Sequence, residues 1–194
     1  MIPVYAFVFV AVSNVLSGRT ERFLERTATI HWGLMVCVYC VSYAPALLTL
    51  EIQGYEHQGQ KLLLFLTLVD QMSDVLQYVF GKLFGKHKIA PSVSPNKTWE
   101  GFIGGWVTTS ALIWVVGPLL APMEGLGRAC IALSLPLAGF AGDVTLSAVK
   151  RDIGVKDTSS LIPGHGGMLD RADSLVFTTP LYFHLLAFFS LQKF

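Results

Sequence analysis

Three carboxylates lie inside apolar stretches of this chain, where charged side chains are rare. Asp70 and Asp74 share one stretch, and Asp143 lies in another. A charged side chain within a membrane span is costly and usually functional. The alternative is that these polar residues only form hydrogen bonds that hold helices together. We favour a functional site, because the acids occupy two helical faces that open toward the same side.

The spacing of polar residues defines those two faces. The first face holds Asp70, Asp74, Gln77, Tyr78 and Gly81. The second holds Asp143, Ser147, Lys150 and Arg151. Residues separated by three, four, seven or eight positions share one side of a helix. At about 1.5 Å per residue, Asp143 lies roughly 10 Å below Lys150. Each face therefore runs from the membrane surface into the bilayer.

Two polar loops adjoin these faces. Residues 82–101 contain basic side chains followed by a Ser94–Gly101 segment, and residues 150–173 combine cations, glycines and acids. Glycine lets backbone N–H groups approach phosphate oxygens, cations neutralise phosphate charge, and carboxylates hold Mg²⁺. Membrane topology alone accounts for basic residues such as Lys82 and Lys88. It does not account for the glycines around His165, so we expect a metal-bound polyphosphate here.

The elements that position these residues are apolar helices. The chain has 194 residues, 53% of them hydrophobic and only 14% charged, whereas soluble domains carry about 25% charged residues. A helix of about 20 apolar residues crosses a bilayer core of about 30 Å. The predicted spans are residues 2–17, 31–50, 62–84, 102–121, 129–149 and 174–191. We expect one all-α membrane domain over residues 1–194, with about six transmembrane helices and a catalytic groove open to the cytoplasm.

The distribution of lysine and arginine predicts the orientation. Segments 18–30, 82–101 and 150–173 hold three, four and four basic residues, whereas 51–61 and 122–128 hold one each. Loops rich in lysine and arginine stay in the cytoplasm, so both termini are expected to face outward. The first span is short and begins at Met1, which suggests an N-terminally shortened version of a longer protein.

The loop that ends the fifth span resembles the signature of the phosphatidate cytidylyltransferases, also called CDP-diglyceride synthases. The matching residues are Ser147, Val149, Lys150, Arg151, Lys156, Asp157, Ser159, Ile162, Pro163, His165, Gly166, Gly167, Met168, Asp170, Arg171 and Asp173. A second segment, from Phe80 to Gly101, resembles the family's G-K and S-P-x-K-T-x-E-G motifs. The resemblance covers about residues 60–194 closely and the remainder more loosely.

The resemblance implies transfer of CMP from CTP to phosphatidate, which gives CDP-diacylglycerol and pyrophosphate in phospholipid biosynthesis. It implies an integral protein of the inner membrane with its active side in the cytoplasm. The substrates would be CTP and phosphatidate, the bilayer would surround the protein, and a homodimer is left open. No nucleic-acid partner is expected.

The same resemblance assigns roles to residues. The implied catalytic residues are Asp143, Lys150, Arg151, His165, Asp170 and Arg171. The implied substrate-binding residues are Asp74, Tyr78, Lys97, Thr98, Ser147, Lys156, Asp157, Gly166, Gly167 and Asp173. Asp143 and Asp170 would bind Mg²⁺, with a second monovalent or divalent cation left open. We expect Lys150 and Arg171 to contact phosphate oxygens and to leave these two acids free for the metal.

Two departures from the family pattern and two rival functions remain. Members usually carry more N-terminal spans, and their third-span motif is Asp-Ser-Gly-Ala-Tyr. Here Asp74 and Tyr78 enclose Val75, Leu76 and Gln77, and these bulkier residues are expected to narrow the groove or change its lipid. The rivals are a catalytically weak paralogue that binds lipid or nucleotide, and an ion-coupled transporter that uses the buried acids as an ion path.

Overall fold

The structure is a computed structural model that describes residues 2–18, 20–52, 54–122, 124–161 and 166–191. About 73% of it is helical. The helices within these ranges are α1 (Ile2–Leu16), α2 (Phe23–Leu34), α3 (Tyr43–Leu48), α4 (Gly59–Phe84), α5 (Trp99–Leu120), α6 (Gly125–Asp152) and α7 (Leu175–Leu191). A π-helical turn, Met35–Cys40, joins α2 to α3.

All six predicted apolar stretches form helices, but they differ in length. Within the described ranges, four segments are long and apolar enough to cross a membrane: Phe23–Leu48, α4, α5 and α6, with 26, 26, 22 and 28 residues. Pro3–Leu16 and Leu175–Ser190 are shorter apolar helices, below the roughly 20 residues that a perpendicular span needs. These apolar helices make the chain an integral membrane protein.

The apolar core lies at one end of the helices, away from the polar loops. Its buried side chains include Leu62, Phe65 and Leu66 of α4, Ile113 of α5, Ile131 and Leu135 of α6, and Tyr182 and Leu186 of α7. At the same end the Tyr55 hydroxyl donates to the backbone carbonyl of Leu120. Burial of apolar side chains holds this end together, and a smaller buried cluster of Val36, Leu146 and Val176 lies closer to the polar residues.

Glycines bring α4 and α5 close together at the polar end. A Cβ on Gly101 would lie 2.7 Å from the carbonyl oxygen of Gln77, and one on Gly105 would lie 2.4 Å from Gln77 Cγ. Such distances exclude a side chain at either glycine. Small residues at helix interfaces are the usual means of close approach in membranes. The α4 face that carries the acids is therefore fixed against the start of α5.

A short antiparallel hairpin, which the all-α prediction lacks, connects α4 to α5. Its strands are β1 (Lys88–Ala90) and β2 (Ser94–Thr98), with Lys88 opposite Thr98 and Ala90 opposite Ser94. The correction has a physical reason: β2 contains Pro95 and Asn96, which are poor strand formers. Pairing with β1 and bonds to the start of α5 overcome that local preference.

Glu100 secures the hairpin to α5. Its carboxylate accepts hydrogen bonds from the Lys86 and His87 backbone N–H groups at 3.0 and 3.2 Å, and it lies 2.6 Å from His87 Nδ1. Thr98 caps α5, because its hydroxyl accepts from the Gly101 N–H at 3.2 Å. A side-chain oxygen at this position satisfies an N–H group that the helix itself cannot pair. The hairpin end is thus set at the mouth of the polar region.

Candidate active site

A cavity of about 320 Å³ opens among α4, β2, α5, α6 and the segment before α7. It is lined by Asp74, Gln77, Tyr78, Ser94, Asn96, Lys97, Thr98, Phe102, Phe140, Asp143, Asp170 and Asp173. The structure thus brings together acids from three parts of the sequence. Eight of the residues proposed from sequence for catalysis, metal binding or substrate binding fall outside this lining within the described ranges: Ser147, Lys150, Arg151, Lys156, Asp157, Gly166, Gly167 and Arg171.

The face of α4 divides into a cavity part and a buried part. Asp74, Gln77 and Tyr78 line the cavity, whereas Asp70 lies one turn deeper and is only 3% exposed. The Thr178 hydroxyl lies 3.4 Å from Asp70 Oδ2. The structure places Asp74 on the same cavity as Asp143, as the two helical faces predict, and it separates Asp70 from that cavity.

Lys97 and Asp143 form an ion pair across the cavity. Lys97 Nζ lies 2.5 Å from Asp143 Oδ2 and 4.4 Å from the ring centre of Phe140. The Ser147 hydroxyl donates to Asp143 Oδ1 at 3.2 Å. The hairpin therefore places the Lys97 ammonium group against Asp143 of α6. Ser147, one helical turn further along α6, forms a hydrogen bond with the same carboxylate.

Asp170 is a hydrogen-bonding centre for the loop before α7. Its Oδ1 accepts from Lys150 Nζ at 2.9 Å, and its Oδ2 accepts from the Thr158 N–H, the Thr158 hydroxyl and the Gly167 N–H at 2.8, 2.8 and 2.7 Å. Burial alone would raise the pKa of Asp170, but these donors hold that pKa well below its ordinary value. The side chain is therefore a carboxylate that organises its own loop.

Lys150 lies between two acids of this loop. Besides Asp170 it faces Asp173, whose Oδ2 is 3.9 Å from Lys150 Nζ. Burial raises the pKa of Asp173, and the nearby charge of Asp143 raises it further. Lys150 is thus paired with carboxylates, which differs from the expectation that it leaves Asp170 free.

The remaining predicted residues have varied positions. Arg151 ties the two loops together, since its Nε donates to the Val93 carbonyl at 3.3 Å and its Nη1 to the Val155 carbonyl at 3.0 Å. Arg171, Lys156 and Asp157 are exposed. His165 lies outside the described residues.

The glycines of this loop are explained by contacts within the protein. A Cβ on Gly166, whose φ is +80°, would lie 2.8 Å from Asp170 Oδ2. A Cβ on Gly167 would lie 2.4 Å from the Thr158 hydroxyl. Both glycines allow the backbone to close around Asp170, and the N–H of Gly167 is directed to that carboxylate rather than left for phosphate.

Sequence reasoning left several cavity residues without a role. Phe140 lies three residues before Asp143, and Phe102 lies four residues after Thr98, so helical spacing could have placed both on the cavity. Their rings are 4.3 Å apart. Thr158 carried no such signal, because its contact with Asp170 depends on how an irregular loop folds.

The donor set can be tested against a divalent cation. Asp74, Asp143, Asp170 and Asp173 line the cavity, and two ammonium groups, from Lys97 and Lys150, reach these acids. With all four acids ionised, these carboxylates exceed the two ammonium groups by two negative charges. Among the described residues, no three His, Cys, Asp or Glu side chains are grouped closely enough to hold one ion. Mg²⁺ is usually held by only one or two carboxylates together with substrate phosphates and water, so the set fits that cation.

Fold and cavity describe a membrane-embedded protein with an acidic, lysine-containing site at one end of its helices. A sequence model of the Cytidylyltransferase family matches residues 1–189. The chain belongs to this family.

Curated relatives extend beyond the length of this chain. The uncharacterized protein YnbB of Escherichia coli (strain K12) is 43% identical over 190 residues, which are 96% of this chain and 62% of that protein. The phosphatidate cytidylyltransferase of Haemophilus influenzae is 38% identical over 156 residues, 76% of this chain and 54% of the relative. That of Bacillus subtilis is 38% identical over 195 residues, 97% of this chain and 68% of the relative. The chain thus spans roughly half to two thirds of these relatives.

Proposed function

We propose that this protein transfers CMP from CTP to phosphatidate, with CDP-diacylglycerol and pyrophosphate as products. The observation that carries the proposal is the composition of one cavity. Acids and Lys97 line it together with the aromatic side chains of Tyr78, Phe102 and Phe140. Such a cavity suits a substrate with an anionic headgroup and an apolar body, and a second, highly charged substrate from water.

The reaction joins two anions. A phosphate oxygen of the lipid forms a bond to the α-phosphorus of CTP, the bond from that phosphorus to the bridging oxygen breaks, and pyrophosphate leaves. No covalent enzyme intermediate is needed, and transfer of this kind depends on positioning and electrostatic stabilisation. Lys97 is the cation in the cavity lining that would face the phosphate oxygens, and Lys150 lies behind the lining, paired with Asp170.

Asp143 and Asp170 are the residues that would hold Mg²⁺, and a second monovalent or divalent cation belongs to the same proposal. Bound there, Mg²⁺ would screen the repulsion between the two phosphate groups. When phosphate oxygens enter the cavity, Lys97 can exchange its bond to Asp143 for a bond to phosphate. Asp143 would then keep its hydrogen bond from Ser147, 3.2 Å away, and would present Oδ2 to the cation.

The membrane arrangement is part of the proposal. Six spans and a groove open to the cytoplasm are supported by the basic residues in segments 82–101 and 150–173, and a place in the inner membrane is proposed with them. The two short helices α1 and α7 would be the first and last spans. A homodimer is compatible with this arrangement.

The structure favours a transferase over an ion-coupled transporter. An ion path would have to continue past Asp70 to the other side of the membrane. Beyond that acid, α4 presents the buried apolar side chains of Leu62, Phe65 and Leu66. Closure on the apolar side suits a site that substrates enter and leave from one surface.

The test is an assay for lipid labelling. Purified protein would be incubated in detergent with phosphatidate, labelled CTP and Mg²⁺, and the lipid fraction would be analysed for labelled CDP-diacylglycerol. We expect a labelled lipid that depends on both CTP and the divalent cation. Absence of label in protein that is folded and monodisperse would favour a weak paralogue that only binds.

A matched pair of variants makes the test specific. Asp143→Asn keeps the shape of the side chain but removes its charge, so transfer should fall about 100-fold or more. Asp152→Asn makes the same change at an exposed position near the end of the same helix and should leave transfer unchanged. Similar activity of the two variants would contradict the role of Asp143.

A further inference from the structure

Gln77 is a polar side chain of the cavity to which the reaction gives no role. It lies on α4 between Asp74 and Tyr78 in the cavity lining. Its Nε2 donates to the Ser73 hydroxyl at 2.9 Å, and Ser73 is only 2% exposed. A Cβ added to Gly105 would lie only 2.4 Å from Gln77 Cγ, so the Gln77 side chain occupies the space beside that glycine. The stem of Gln77 therefore lies against Gly105, and the amide is hydrogen-bonded to Ser73 of its own helix.

The carbonyl end of this amide is an available acceptor. Among the described residues, the bond to Ser73 is the one hydrogen bond of the Gln77 side chain, so Oε1 has no protein donor there. A carbonyl oxygen cannot donate, so it repels phosphate oxygens and carboxylates. Gln77 Oε1 can therefore accept a hydrogen bond only from a ligand group that carries an O–H or N–H.

The position of Gln77 favours a donor on the lipid. Its neighbour Tyr78 lines the cavity and is also 65% exposed, which leaves this wall of the cavity open at the outer surface of α4. The aromatic rings of Phe102 and Phe140 line the same cavity. When a lipid enters from the bilayer, the part of its headgroup that links the phosphate to the acyl chain would therefore lie beside Gln77.

We propose that Gln77 forms a subsite for a free hydroxyl on the carbon next to the one that bears the lipid phosphate. The protein would thus favour monoester lipid phosphates that keep this hydroxyl over otherwise identical lipids that lack it. The inference rests on the proposed cytidylyl transfer and specifies which acceptors the same cavity favours.

The sharpest test compares two lipids that differ in one oxygen atom. One is 1-oleoylglycerol 3-phosphate, with a free hydroxyl on its second carbon, and the other is 3-oleoyloxypropyl phosphate, which lacks it. Diacyl phosphatidate serves as the benchmark acceptor. For the wild-type protein we expect kcat/KM to be about 3- to 10-fold higher for the hydroxylated lipid, the range of one neutral hydrogen bond.

Two variants assign the preference to the amide. Gln77→Met has similar length without hydrogen-bonding groups and should bring the ratio of the two kcat/KM values close to one. Gln71→Met makes the same substitution at an exposed position of α4 outside the cavity and should keep the wild-type ratio. Thermal unfolding in detergent shows whether both variants fold.

Each failure has a separate meaning. A wild-type ratio near one would overturn the subsite without any variant. A change in the KM for CTP in Gln77→Met that is equal with both lipids would show that the amide contacts the nucleotide, and would also overturn it. No transfer to any of the three lipids by the wild-type protein would instead overturn the proposed transferase function, and the subsite with it.

Discussion

The two polar loops at the cavity are built in different ways. The hairpin (residues 86–98) is formed by strand pairing between β1 and β2 and by the carboxylate of Glu100. The long loop (residues 153–174, described except for 162–165) has no paired strands of this kind and closes around Asp170. In the hairpin, strand pairing and the Glu100 carboxylate form the structure, whereas a different side chain, that of Lys97, faces the cavity. In the long loop, the Asp170 carboxylate both holds the loop together and lines the cavity. A substitution of Asp170 must therefore affect the loop structure and the cavity at once.

The largest effect should come from Asp170→Asn. The amide cannot accept all four hydrogen bonds with the strength of a carboxylate, and it places an NH₂ group near one of their donors. We expect transfer to fall about 100-fold or more. The backbone amides of Thr158 and Gly167 should exchange hydrogen at least about tenfold faster, since bonds to charged groups are worth about 1.5–3 kcal/mol. Mass-spectrometric hydrogen exchange on the purified protein measures this directly.

The control for that measurement is the exposed Asp152→Asn variant, which should exchange like the wild type. Unchanged protection of Thr158 and Gly167 in Asp170→Asn would contradict the structural part of the comparison. The loop would then be held by contacts other than this carboxylate.

Lys97→Met should lower transfer without loosening the long loop. The ammonium group that faces Asp143 would be lost, and with it a charge-assisted contact to phosphate, so we expect an activity about 10- to 100-fold lower. The methionine keeps most of the apolar stem that passes Phe140. Exchange at Thr158 and Gly167 should stay at the wild-type rate. Faster exchange there would mean that the two loops depend on each other more than their separate hydrogen bonds indicate.

Sequence could predict the part of the molecule that rests on helical periodicity. The apolar stretches become α1 to α7, and Asp74 and Tyr78 meet Asp143 on one cavity because three- and four-residue spacings place them there. Some boundaries moved by a few residues, as at the start of α4, predicted at 62 and observed at Gly59. The second span, predicted to begin at residue 31, begins eight residues earlier at Phe23, inside the segment predicted as a loop. Such ends depend on local turns rather than on the apolar pattern.

The rest depends on contacts distant in sequence. The hairpin escaped prediction because Pro95 and Asn96 disfavour strands, whereas Glu100 and β1 stabilise one. The pairing of Lys97 with Asp143 and of Lys150 with Asp170 also escaped it. Spacing shows which charges share a helical face, but it does not show which lysine a folded loop delivers to which acid.

A smaller and local effect is expected from Glu100→Gln. The carboxylate accepts from two backbone N–H groups and contacts His87, and a neutral amide replaces these bonds only in part. Hairpin amides near Lys86 and His87 should exchange faster, and transfer should fall about two- to fivefold because Lys97 is then less firmly held. An activity loss as large as that of Asp170→Asn would contradict the view that the hairpin's structure and its chemistry are carried by different residues.

The smallest functional effect should come from two isosteric changes that test whether the loops share one side of the membrane. Ser92 lies in the hairpin turn and Ser160 in the long loop, and both are exposed. In a background in which Cys37, Cys40 and Cys130 are replaced by alanine, Ser92→Cys and Ser160→Cys should each change transfer less than about twofold, as is usual for surface substitutions. Both loops line one cavity, and segments 82–101 and 150–173 hold four lysine or arginine residues each. A membrane-impermeant maleimide should therefore label neither cysteine in intact cells and both after permeabilisation. Labelling of one alone in intact cells would separate the loops across the bilayer, and labelling of both would place the site on the outer face.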